Sequence, residues 1–137
     1  MMWSDTGMAV CASRSVGMPK VMVLDNQLSR VLALEKNLKA GGYDVRVLTG
    51  PYGILAKFDF ERPDILLFNP DMPNTDTDVL LSTIMASPRL QNMIVVLICS
   101  GEPDAIEEYC HQMNLHGYYM TDAGLDGIVD YLNQFCE

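Results

Sequence analysis

Pro63-Asp64-Ile65-Leu66-Leu67-Phe68-Asn69-Pro70-Asp71-Met72-Pro73 decides the fold. Four consecutive large apolar residues, entered from Pro-Asp and closed by Asn-Pro, predict a short strand buried on both faces. Such a strand belongs to a parallel sheet with helices above and below it. Ligands and chemistry gather at the carboxyl edge of that kind of sheet. Asn69 stands there, where the strand leaves the core.

Outward from this stretch the pattern alternates. Val21 to Leu24 reads as a buried strand ending at Asp25, and Leu28 to Leu38 as a helix with a stripe at 28, 31, 32, 34 and 38, stopped by Gly41-Gly42. Val45 to Leu48 is a second strand with one polar gap, and Pro51 opens a helix through Leu55 and Phe58. After the strand at 65–68, Thr77 to Ala86 predicts a helix with Val79, Leu80, Ile84 and Leu81 inward. Met93 to Cys99 is a wholly apolar fourth strand, Glu102 to Met113 an acid-rich helix, and Gly117 to Met120 a short fifth strand. Asp122 is expected to cap a last helix running to about Phe135, with Leu125, Ile128, Val129 and Leu132 buried. Strands alternating with helices give an α/β sandwich around a parallel sheet, with strand order left open by periodicity.

The chain of 137 residues is one domain of ordinary composition, 49% hydrophobic and 20% charged. Residues 1–18 lack periodicity and predict a loose tail carrying Trp3 and Cys11, leaving 19–137 as the folded domain. The net charge of −9 argues against nucleic acid and anionic membrane as partners. It is unevenly spread: residues 1–89 hold ten acids and nine Lys/Arg, whereas 90–137 hold eight acids and no Lys or Arg. That asymmetry fits either simple solubility or a docking face for a basic partner. No apolar run spans a bilayer, no signal-peptide layout opens the chain, and the four cysteines form no C-x-x-C pair. Reduced thiols in the cytoplasm are the expectation.

From about Lys20 onward the chain resembles the receiver domain of two-component response regulators. The resemblance rests on Leu24-Asp25-Asn26, where the family has a strand ending in an acidic pair, and on Asn69-Pro70-Asp71-Met72-Pro73, where it has an Asp followed by Met-Pro. Ile98-Cys99-Ser100 stands where a fourth strand ends in Thr or Ser, and Gly117-Tyr118-Tyr119-Met120-Thr121-Asp122 where a Gly-Tyr stretch leads to Lys-Pro. Spacing agrees, with about thirty residues from Asn69 to Cys99 and about twenty-two from Cys99 to Thr121. The implied fold is flavodoxin-like, a five-stranded parallel sheet of order 2-1-3-4-5 with five helices.

The family's chemistry is phosphoryl transfer to the Asp whose position Asn69 occupies, and an amide oxygen is a poor nucleophile beside a carboxylate. Its acidic pair holds Mg²⁺, a cation that prefers charged oxygen ligands. Asp25 alone retains a carboxylate, since Asn26 is neutral, so metal binding is expected to be weak or absent and no cofactor is expected. Cys99 replaces the hydroxyl that bonds the phosphoryl group, and Thr121 the Lys that neutralises it. By this count the pocket keeps a single charge, −1. Asp71 is a weaker candidate acceptor. Cys99 as a redox-sensing thiol is less favoured than an inert buried Cys, with Asp25 expected to raise its pKa. His111 and His116 are read as solvent-facing, and the ten Met residues as core filling. The loop after Asp25 lacks the cradle that a flavin phosphate needs.

The expected function is that of a non-phosphorylatable pseudo-receiver, not an enzyme, acting by protein contact in two-component or phosphorelay-type signalling. With no output domain expected after Glu137, its partner would be another signalling protein, or a second copy in a homodimer. The resemblance places the output surface on the fourth helix, fifth strand and fifth helix, here carrying Tyr118, Glu107, Glu108, Asp122 and Asp126. Tyr118 matches the family's aromatic switch residue and is expected to hold one rotamer. Two alternatives stand beside this reading. One is an atypical receiver that still accepts a phosphoryl group. The other is a small-molecule sensor using the neutralised pocket near Asn69 and Cys99.

Overall fold

A computed structural model describes residues 18–50, 53–72, 76–88 and 92–135. The tail expected at 1–18 falls almost wholly outside the described residues, as do Pro51 and Pro73. The strands are β1 (Lys20–Leu24), β2 (Asp44–Leu48), β3 (Ile65–Phe68), β4 (Ile94–Cys99) and β5 (Gly117–Met120). The helices are α1 (Leu28–Ala40), α2 (Ile54–Glu61), α3 (Thr77–Met85), α4 (Pro103–Met113) and α5 (Ile128–Asn133). All pairings are parallel and the sheet order is β2-β1-β3-β4-β5.

Because side chains alternate across a strand, the apolar runs divide into two cores. Met22, Leu24, Leu66, Phe68, Val95 and Leu97 pack with Ile54 and Phe58 of α2, Leu81 and Ile84 of α3 and Cys110 of α4. Val21, Val23, Ile65, Leu67, Val96 and Ile98 pack with Val31, Leu34 and Leu38 of α1 and Ile128 and Leu132 of α5. β3 and β4 are buried at every position, the outcome the unbroken apolar runs predict. Opposite the functional edge, Glu61 Oε1 takes hydrogen bonds from Lys20 Nζ and Arg46 Nε, both at 3.1 Å, tying β1 and β2 to the end of α2.

Three helix expectations change. The inner stripe of α1 is Val31, Leu34 and Leu38, while Leu28 and Leu32 are 66% and 56% exposed. Those two form an i, i+4 pair displaced around the helix from the buried stripe. In α3 the phase is set by Asp76, whose Oδ1 accepts the Val79 N–H at 3.2 Å as a side-chain cap. With that start Leu81 and Ile84 point inward, Leu80 is half-buried and Val79 is 59% exposed. Asp122 does not cap the last helix. It lies in a 3₁₀ turn over Thr121–Ala123, which Gly124 ends at φ 99°, and α5 starts only at Ile128. The positive φ at Gly124 breaks the helical path that periodicity carries through this stretch.

Gly117 opens β5 directly beneath the Tyr131 side chain, so a larger residue there requires that side chain to shift. A Cβ on Gly117 would lie 2.3 Å from the Tyr131 hydroxyl. That hydroxyl accepts the Tyr118 N–H at 3.1 Å, so an α5 side chain satisfies part of the edge strand's backbone.

Candidate functional site: the carboxyl edge of the sheet

Register brings the sequence candidates together. Leu24 pairs with Phe68, and the Asn69 N–H donates to Leu24 O at 3.0 Å, so Asp25 and Asn69 emerge side by side at the ends of β1 and β3. Asp25 is fully buried. Its Oδ1 accepts from Asn69 Nδ2 at 2.9 Å and from the Gln27 N–H at 3.1 Å. Arg30 closes the set from the first turn of α1: its Nε donates to Asp25 Oδ2 at 2.5 Å and its Nη2 to Oδ1 at 3.1 Å.

Asn69 is held by both ends of its amide. While Nδ2 faces Asp25, Oδ1 accepts the Asp71 N–H at 2.8 Å. The reversed amide would set oxygen against carboxylate and NH₂ against N–H, so only this orientation is favourable. The one oxygen that could resemble a nucleophile is turned away from Asp25 and occupied.

Burial by itself would raise the Asp25 pKa. The hydrogen bonds from Arg30, Gln27 and Asn69, with the Arg30 charge, outweigh it and leave the carboxyl below its ordinary value. The charge count made from sequence is corrected here: Arg30 cancels Asp25, and the pocket is neutral. Arg30 was missed because its pairing depends on where α1 begins. A usable signal existed, since a cation in the first turn opposes the helix dipole and calls for an acid nearby.

The remaining positions serve the framework. Thr121 Oγ1 donates to Cys99 O at 3.2 Å, tying the ends of β5 and β4 where the resemblance puts a Lys. Cys99 is buried with Sγ 3.9 Å from Tyr119 O. Burial is the main reason its thiol is pushed up to about 12, followed by the charges of Cys110, Asp71 and Asp122. The rise is in the direction the sequence reading expects, with burial rather than Asp25 as its main cause, and a thiol so raised is a poor redox sensor. Asn26 and Asp71 are exposed. The residues do not fit a Mg²⁺ ion. Its expected anchor, Asp25, spends both oxygens on a guanidinium and two N–H donors, and Asn69 presents hydrogens rather than an oxygen to that space.

Beside this pocket a cleft of about 440 Å³ opens between α3 and α4. Leu97, Cys99, Ile106 and Pro70 supply apolar lining, and Tyr109 crosses from α4 to hydrogen-bond Asp78 Oδ1 at 2.7 Å.

The candidate interaction residues do not form one patch. Tyr118 donates from its hydroxyl to Glu107 Oε1 at 3.4 Å, and Glu107 and Glu108 share an exposed depression with Asp104 and His111. Asp126 instead lines a groove against Gln27, Ser29 and Arg30 of the α1 end. Asp122 is exposed above the edge, with Oδ2 3.5 Å from the Gly101 N–H. His116 is exposed, as the sequence reading expects, yet its Nδ1 accepts the Val95 N–H at 3.0 Å, and the partial desolvation of the ring lowers its pKa.

The sheet order, the paired loops after β1 and β3 and the helices on both faces define a flavodoxin-like α/β fold. Solved receivers superpose on it. The chemotaxis response regulator CheY4 of Vibrio cholerae matches with a TM-score of 0.77 at 15% identity, over 86% of this chain and 98% of its own. The phosphorylated cyanobacterial phytochrome response regulator RcpA gives 0.73 at 18% identity, over 87% and 94%. A CheY-like receiver domain protein from Methanospirillum hungatei gives 0.70 at 14%, over 86% and 93%. At these identities the likeness is one of fold. In sequence, 83 residues are 29% identical to a protein-glutamate methylesterase/protein-glutamine glutaminase of Anaeromyxobacter dehalogenans. That match takes in 61% of this chain and 23% of the relative, so the chain spans about a quarter of the curated protein it matches. No family model matches the chain. Among the described residues no helix is long and apolar enough to cross a membrane.

Proposed function

We propose that this chain is a signalling module of the two-component type that keeps the receiver shape, does not accept a phosphoryl group, and works by binding another protein. One observation carries the reading: the side chain at the acceptor position is an amide that donates to Asp25 and has its oxygen engaged elsewhere. No ionised oxygen at Asn69 is available to attack phosphorus.

The partner surface in this reading is the exposed face of α4 with β5, where Glu107, Glu108, Asp104 and Tyr118 lie together and no Lys or Arg occurs after residue 89. A basic protein surface is its complement.

The test is incubation with acetyl phosphate and Mg²⁺ followed by intact mass measurement. An unmodified mass is expected. A hydroxylamine-sensitive phosphoryl adduct would sink the reading, and its loss on Asp71→Ala would establish the atypical-receiver alternative. The cleft beside Cys99 favours a second reading, a small-molecule sensor, which ligand-dependent melting shifts abolished by Ile106→Trp would support.

A further inference from the structure

We infer that Arg30 is a built-in counter-ion holding the place that a divalent cation takes in pockets of this shape, and that it bars such a cation independently of Asn26 and Asn69. The inference rests on the receiver-type reading only in taking that pocket as its reference. Asp25 is fully buried, yet it keeps its charge because the guanidinium meets both of its oxygens. The Arg30 side chain is itself mostly buried, at 17% exposure, so the pair is poorly screened by solvent. At the positive end of α1 a cation opposes the helix dipole, and Asp25 is the acid that compensates it. A metal ion approaching Asp25 would have to displace two charge-assisted hydrogen bonds and then sit beside a fixed positive charge.

The consequence is that restoring acids does not restore the metal site. Asn26→Asp with Asn69→Asp supplies carboxylates where the resemblance asks for them, but Arg30 remains to neutralise them. Removing Arg30 as well should free the site.

The experiment compares Mn²⁺ binding by calorimetry, and by paramagnetic broadening of the Asp25 and Gln27 amides, in N26D/N69D and in N26D/N69D/R30M. Circular dichroism confirms the fold of each. The triple variant is expected to bind at least about tenfold more tightly than the double variant. Equal affinity would overturn the inference, because Arg30 would then yield without cost. Where three uncompensated carboxylates prevent folding, the pair N26D and N26D/R30M asks the same question at lower charge, with the same two outcomes. Phosphorylation of the native chain would sink the proposed function without touching this comparison.

Discussion

At the scale of single residues, Asp25 and Arg30 carry the pocket. Truncating Arg30 to Met leaves a buried carboxylate with only the Gln27 and Asn69 donors. A loss of about 2–3 kcal/mol in denaturant-monitored stability is expected, the worth of a hydrogen-bonded charge removed from one side. The same pair sets an acid dependence. Because the folded carboxyl lies below its ordinary value of 3.8, the unfolded chain binds more protons in the acid range. Stability is therefore complete above that value and lost as pH falls through it, and R30M should flatten that loss in denaturation series below pH 4. His116 sets a second dependence at higher pH. Its folded pKa lies below 6.5, so stability is complete above that value and declines as pH falls through it, since a protonated imidazole cannot accept the Val95 N–H. His116→Asn, whose amide oxygen can still accept, should abolish the decline below pH 6.5.

At the scale of elements, the strands were legible and the helix faces less so. β3 and β4 are buried on both sides, so their apolar runs admit one reading, and Phe68→Ala should cost about 3–5 kcal/mol in chemical denaturation. Helix phase depends on where the first turn is fixed. Asp76 does that for α3, and a stripe counted without the cap put Val79 inside beside Leu81 and Ile84. Gly124 ended a helical path that apolar spacing alone carries on from Asp122. Contacts between elements were out of reach altogether. Neither the Tyr131 hydroxyl over Gly117 nor the His116 ring against β4 leaves a periodic trace. Gly117→Ala should destabilise through the 2.3 Å clash, and Tyr131→Phe in the same chain should recover part of the loss. Independent, additive losses in that double-mutant cycle would place the cost of the added methyl elsewhere.

At the scale of the whole molecule, the alternating elements anticipated the α/β class, whereas the sheet order was anticipated only through the resemblance that rests on Asp25, Asn69, Cys99 and Thr121, residues at or just after strand ends. The balance of charge was not, because Arg30 meets Asp25 only after α1 has formed. The acidic carboxyl-terminal third makes a long-range demand: binding to a basic partner should weaken as salt rises and fall on E107K with E108K, measured by titration calorimetry. Binding that ignored both would move the contact off α4. The most direct trial of the closed pocket is an amide NMR titration of the native chain with Mg²⁺ and beryllofluoride. Resonances of Asp25, Asn69, Cys99 and Thr121 are expected to stay in place throughout. Saturable shifts gathered on those four would show a working receiver and contradict the neutral, self-satisfied site described above.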